Sequence, residues 1–164
     1  MRSILLLPLV LLTACNADKI AQLEKQNKDL QAQLDQQKNL VDLDTQAKCS
    51  AAAKLWFSEN WAKRDKDTIL LDYTNHYNKP LGKCFIVVEW HYNEAQSKTG
   101  SWYNNLNFYD VYENARYGEV SEYTENQLTP DFKSDKHMYR CNVLDKTCKT
   151  IDEFNQLSNH FMND

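Results

Sequence analysis

The chain has 164 residues, of which 42% are hydrophobic and 12% aromatic, enough for one folded domain or for one domain with an appendage. It carries 19 Lys and Arg against 23 Asp and Glu, and this acidic balance without a basic run argues against a nucleic-acid surface. The wide spacing of its three glycines, Gly82, Gly100 and Gly118, excludes the glycine-rich phosphate loops of dinucleotide-binding and P-loop proteins.

The N-terminal segment has the pattern of an export signal. Arg2 supplies a positive charge, and a short apolar run from Ile4 to Leu12 follows it. The run ends in Leu12-Thr13-Ala14-Cys15, which resembles the lipobox of bacterial lipoproteins. The resemblance implies a signal peptide over residues 1–14, cleavage before Cys15, and attachment of acyl chains such as palmitate at Cys15. Two or three acyl chains would hold the protein stably on a membrane.

The residue after the lipidated cysteine indicates to which membrane the lipoprotein is sorted. In enteric-type lipoproteins an Asp at this place favours the inner membrane, and here the residue is Asn16. The resemblance therefore implies a protein anchored to the outer membrane and facing the periplasm, with exposure at the cell surface as the alternative.

Residues 15–46, which we call the stalk, have a helical composition and a seven-residue repeat. Ile20, Asn27, Leu34 and Val41 fall at a positions, and Leu23 and Leu30 fall at d positions. The next two d positions are Gln37 and Asp44, so the repeat is strongest over the first two and a half heptads. The repeat predicts a coiled coil, through which the chain would form a homo-oligomer. The start of the stalk resembles murein lipoproteins, which form helical oligomers on the outer membrane. A helix packed on its own domain and a solvated polar helix are the alternatives.

Residues 47–164, the head, are predicted to have an α+β fold in which an N-terminal helix is followed by an antiparallel β-meander and a C-terminal helix. Cys49, Ala52, Ala53, Trp56, Phe57 and Trp61 follow helical spacing. The residues from Thr150 to Glu153 form a capping box that begins the last helix. Five strands are expected, over Ile69 to Tyr77, Lys83 to Tyr92, Leu106 to Glu113, Glu119 to Thr124 and Met138 to Val143. We expect both helices to cover one face of the sheet.

The four cysteines of the head predict disulfides, because an exported protein folds in an oxidising compartment. Of the three possible pairings we favour Cys49–Cys84, which would join helix and sheet, with Cys141–Cys148, which would close a tight turn. A metal site is the alternative, but the CxxC or CxxxH spacing typical of zinc ligands is not present in the sequence. No metal or other cofactor is predicted.

Two groups of side chains are candidates for function. Strand alternation brings polar residues of the first hairpin to one face, where they could hold a metal or act as a general base, although a solvated sheet surface is the simpler interpretation: Asp72, Thr74, His76, Glu89 and His91. A second group is rich in the aromatic residues that are common at recognition surfaces and forms a candidate binding face: Tyr73, His76, His91, Trp102, Tyr109 and Tyr112.

The head also resembles a recurrent domain of uncharacterised bacterial secreted proteins and lipoproteins, in the stretch from Tyr73 to Phe85 and in Asn107 to Glu113. That resemblance implies no activity. The sequence predicts a lipid-anchored envelope lipoprotein, not an enzyme, whose head binds an unidentified envelope protein. The alternatives are an envelope hydrolase that uses His76 and His91, and a mobile-element lipoprotein involved in lysis, exclusion or immunity.

Overall fold

The computed structural model describes residues 7–61, 63–93, 101–125 and 135–163. Within them lie two helices and one six-stranded antiparallel sheet, which confirms the α+β class. Contacts between residues divide the chain into two units, with the boundary between Leu43 and Asp44. Residues 1–6 of the predicted signal peptide lie outside the described residues.

The first helix, α1, extends over Leu7–Asn60. The stalk helix and the first head helix, which the glycine-free and nearly proline-free sequence allows to run on as nearly continuous helix, are thus one helix. After Pro8 the sequence has no glycine or proline before Pro80, so no residue of the helix-breaking kind interrupts it. In the described residues, no helix is both long enough and apolar enough to cross a membrane.

The sheet is a meander in which each strand pairs with the next along the chain. Its strands are β1 (Thr68–Asn78), β2 (Lys83–Asn93), β3 (Trp102–Asp110), β4 (Ala115–Glu125), β5 (Asp135–Val143) and β6 (Lys146–Thr147), and helix α2 (Ile151–Met162) follows. Strand β3 begins four residues before the predicted start, and the two-residue β6 was not predicted. Asn104 and Asn105 have low β-propensity, so the local sequence does not predict the first half of β3. Pairing with β2 stabilises this part of the strand.

The two helices pack against opposite faces of the sheet, so the expectation that both cover one face is wrong. Cys84, Ile86 and Val88 of β2 cluster with Cys49 and Trp56 of α1, and we call this side the α1 face. The intervening residues of β2, Phe85 and Val87, project to the other side. There they cluster with Phe154 and Phe161 of α2, on what we call the α2 face. Strand β2 carries large apolar side chains on both faces, as a strand covered from both sides requires.

Both disulfides favoured from the sequence are present. Cys49–Cys84 joins α1 to β2, and Cys141–Cys148 joins β5 to the segment after β6. Cys49 and Cys84 are fully buried, so the first bond lies inside the core beneath α1.

Gly118 lies within β4, where the sequence predicted a connection between strands. A Cβ atom at this position would lie 2.6 Å from the carbonyl oxygen of Asn142 and 3.1 Å from the Cα of Val143 on β5. Glycine therefore permits the close approach of two paired strands. The turn before β4 instead ends at Asn114, which has a positive φ of 50° and accepts a hydrogen bond from Trp56 Nε1 at 2.7 Å.

The predicted capping box begins α2. The hydroxyl of Thr150 accepts a hydrogen bond from the Glu153 backbone N–H at 3.1 Å. The Glu153 carboxylate accepts in turn from the N–H of Lys149 at 2.7 Å, one residue before the position a standard capping box uses. These bonds fix the N-terminus of α2, whose first residue borders the cleft described next.

Candidate functional site

A cleft of about 350 Å³ lies on the α2 face, between the sheet and the first turns of α2. Strands β1, β2 and β3 supply its floor, and Ile151 and Asn155 of α2 supply its wall. The lining residues include apolar and polar types, the mixture typical of ligand sites: Asp72, Tyr73, Thr74, Val87, Glu89, His91, Asn104, Leu106, Ile151 and Asn155.

Two carboxylates are neighbours in this cleft. Asp72 and Glu89 are direct partners in the pairing of β1 with β2, so their side chains lie side by side on the α2 face. Like charges in such positions repel each other. The Nε2 atom of His91 lies 2.9 Å from Glu89 Oε1, so a protonated imidazole would offset one of the two negative charges. The side chains of Glu89 and His91 are 43% and 29% exposed, which leaves both accessible to a ligand.

The charge of the cleft suits a positively charged group. Among the described residues that line it, none is lysine or arginine. Val87, Leu106 and Ile151 offer apolar surface beside the carboxylates. The arrangement can accept hydrogen bonds from an ammonium or guanidinium group while its apolar walls contact the attached carbon chain.

The polar patch predicted from the first hairpin is assembled only in part. Asp72, Thr74, Glu89 and His91 all line the cleft. His76 is on the same strand face but pairs with Phe85, two residues further toward the end of the hairpin, and it does not belong to the lining. The two histidines therefore do not meet in one cleft.

The six residues of the predicted aromatic binding face are distributed over both sides of the sheet and a turn. On the α1 face, the ring of Tyr73 lies 4.6 Å from that of Phe57, and the ring of Tyr109 lies 4.9 Å from that of Trp56. Strand alternation places His76, His91 and Trp102 on the α2 face.

Tyr112, the sixth residue, is half exposed in the turn after β3. Burial of part of its ring raises the pKa of the Tyr112 hydroxyl above its usual value of 10.0.

A row of stacked rings crosses the α1 face. Tyr92, Tyr103, Tyr123 and His137 are successive partners on β2, β3, β4 and β5. Their ring centroids are 4.5, 5.9 and 4.9 Å apart, and adjacent rings are within 27° of parallel. Because the rings cover each other's faces, they present edges rather than faces to a ligand. We interpret this row as cross-strand stabilisation of the sheet.

Sequence reasoning missed the part of the cleft that comes from β3 and α2. Asn104 pairs with His91, and Leu106 pairs with Glu89. The alternation of β2 would have located both, had the sequence indicated that β3 begins at Trp102. No local signal places Ile151 and Asn155 there, because their position depends on α2 packing on this face.

A buried ion pair lies at the other end of the hairpin, where β2 begins. Lys83 Nζ is 2.6 Å from Asp110 Oδ2 and 2.6 Å from Glu113 Oε2. Hydrogen bonds to Asp110 and then to Glu113 raise the pKa of the Lys83 ammonium well above its usual value of 10.5. Asp110 also accepts a hydrogen bond from the backbone N–H of Tyr112 at 3.0 Å. With its charges mutually satisfied, the pair is a structural feature.

Within the part of the chain that the structure describes, no group of three or more His, Cys, Asp or Glu side chains is placed to hold a metal ion. The sequence matches no model of a known protein family, and no curated protein or solved structure matches it significantly.

Proposed function

We propose that this chain is a lipid-anchored protein of the bacterial cell envelope and that its head binds an envelope partner without catalysis. The observation that carries the proposal is the division of the five cysteines. Four form two disulfides, which are typical of exported proteins. Cys15 is the one cysteine outside these bonds, and it ends the export-type segment at the lipobox position. By the sorting resemblance at Asn16, the membrane is the outer membrane.

The cleft on the α2 face is the proposed contact site of the head. Asp72 and Glu89 supply negative charge, and the apolar wall at Leu106 and Ile151 supplies contact area. A partner that inserts a lysine or arginine side chain would satisfy both kinds of surface, since its cation meets the carboxylates while its alkyl stem covers the wall. The proposed partner is therefore an envelope protein with an exposed basic residue.

Labelling with radioactive palmitate tests the anchor. We expect the label in the wild-type chain expressed in a Gram-negative host and its loss in Cys15→Ala, because acylation requires the thiol. Cys141→Ala/Cys148→Ala, which removes the disulfide-bonded pair and leaves Cys15 in place, is the control and should keep the label. Equal labelling of wild type and Cys15→Ala would reject the lipid anchor.

Photocrosslinking in the native envelope tests the binding site. With a photoreactive amino acid at Asn104, which lines the cleft, we expect a defined crosslinked partner. Glu89→Gln and Asp72→Asn keep side-chain size but remove charge, and each should lower the yield at least fivefold. Glu59→Gln, at an exposed site on α1, should leave it unchanged. A yield insensitive to both cleft variants would place the contact elsewhere.

The 2.9 Å contact between His91 Nε2 and Glu89 Oε1 favours one second candidate, an envelope hydrolase in which a neutral His91 is the general base and Glu89 orients it. Thr74 in the same cleft carries a hydroxyl group. For this candidate, His91→Gln should abolish release of soluble fragments from purified cell walls, and His76→Gln, outside the cleft, should retain it. Absence of fragment release by the wild-type protein would reject the candidate.

A further inference from the structure

An apolar stripe along the N-terminal half of α1 is exposed to solvent. Seven aliphatic residues of the stalk expose more than half of their surface. Five of them form the stripe, namely Ile20, Leu23, Leu30, Leu34 and Val41, and Leu40 and Leu43 lie outside its a and d positions. A helix in a soluble protein normally buries such a stripe against another element. Helices without tertiary contacts are also only marginally stable in water. We therefore expect another surface to cover the stripe.

The spacing of the stripe determines what kind of partner fits. The five residues occupy a and d positions of the heptad, a narrow seam, whereas the b, c and f positions are mainly Lys, Asp, Gln and Asn. The segment Asp18–Leu43 contains four lysines and five acidic residues. A helix that lies on an anionic membrane surface has a broad apolar face and an excess of Lys and Arg, and neither is present here.

We propose that the occupant is a second copy of this chain, joined through Ile20–Val41 as a parallel, in-register, two-stranded coiled coil. Asn27 lies at an a position, and in a parallel pair it meets Asn27 of the second copy, with which it can form a hydrogen bond. In an antiparallel pair, a residues pack against d residues, so Asn27 would face Leu30 in one register and Gln37 in the other. Asn27 thus favours the parallel in-register pair over the antiparallel register that places it against Leu30.

Charge complementarity supports the same register. Lys19 is at a g position and Glu24 at the following e position, so each copy's Lys19 lies opposite the Glu24 of the other. β-branched Ile20 and Val41 at a positions, with Leu23 and Leu30 at d positions, favour two strands over three or four. The proposal goes beyond the envelope function above and does not depend on lipidation.

Cysteine crosslinking of the full chain tests direction and register. In a Cys15→Ser background, Leu23→Cys and Leu30→Cys would each place a thiol at a d position. Both should form a disulfide-linked dimer under mild oxidation, because only a parallel in-register pair brings both positions opposite themselves. Lys25→Cys and Ala32→Cys, at f positions on the outer side, should give at least tenfold less dimer. Linkage at only one d position, or equal linkage at d and f positions, would overturn the proposal.

Sedimentation equilibrium of the Cys15→Ser chain in density-matched detergent tests the number of strands. We expect a dimer for this chain and a monomer for the further variant Leu30→Asp. A monomer at every concentration would overturn self-association, and a trimer would overturn the two-stranded arrangement. Since the Cys15→Ser chain cannot be acylated, these results are separate from the palmitate result that tests the lipid anchor.

Discussion

The carboxylate of Asp110 is fully buried and is neutralised by a lysine that reaches it from the neighbouring strand. Lys83 binds two carboxylates at the same distance of 2.6 Å, but Glu113 is 62% exposed whereas Asp110 is inaccessible. Solvent screens the outer pair, and the inner pair is screened far less. Two equal distances therefore correspond to unequal contributions to stability.

We expect Asp110→Asn to lower the free energy of unfolding by about 2–3 kcal/mol, because it leaves Lys83 without its buried counter-charge. Glu113→Gln should change it by about 0.5 kcal/mol or less. Urea unfolding followed by tryptophan fluorescence measures both. Equal losses for the two variants would show that burial does not separate the two ion pairs.

The same ion pair predicts a pH dependence. The pKa of Lys83 is higher in the folded chain than its usual value of 10.5, so the folded state holds the proton more tightly. The resulting stabilisation is complete below about pH 10.5 and is lost as pH rises toward the higher folded pKa. The difference in unfolding free energy between wild type and Asp110→Asn should therefore be constant from pH 7 to 9 and shrink above pH 10.5. A difference that already falls between pH 7 and 9 would point to another titrating group.

The sequence predicts the type and order of the helices and strands better than it predicts how they pack against each other. Alternation in β2 and the capping box at Thr150 located strand and helix because both signals are local. The side on which α2 packs depends on Phe85 and Phe108 meeting Phe161 across the core, at ring distances of 5.4 and 5.6 Å. Such contacts join residues more than fifty positions apart, so no local pattern encodes them. The cleft depends on this packing and was predicted only where β1 and β2 supply it.

The disulfides differ in the length of chain they close. Cys49–Cys84 spans 35 residues and Cys141–Cys148 spans 7. In the chain-entropy model a longer loop restricts the unfolded state more, so we expect a loss of about 4 kcal/mol for Cys49→Ala/Cys84→Ala and about 2 kcal/mol for Cys141→Ala/Cys148→Ala. Urea unfolding of the two double variants measures the difference. A larger loss for the short loop would mean that native packing, rather than loop closure, dominates.

For the whole molecule, the division at Leu43/Asp44 separates two kinds of stabilisation. The second unit contains both disulfides and both apolar cores. Residues 7–43 of the first unit are helical and include the exposed aliphatic stripe, so the stability of this unit should depend on association with a second copy. Length alone allowed either one domain or one domain with an appendage, and the burial of individual side chains shows how each part is stabilised.

This difference predicts two thermal transitions with different concentration dependence. All four tryptophans, Trp56, Trp61, Trp90 and Trp102, lie in the second unit, so their fluorescence reports that unit. Circular dichroism at 222 nm is dominated by α1, most of which belongs to the first unit. Raising the protein concentration a hundredfold should raise the midpoint of the circular dichroism transition while the fluorescence midpoint stays constant, because association stabilises a folded state by mass action. Leu30→Asp should remove the concentration dependence, whereas an equal shift of both midpoints would mean that the second unit also associates.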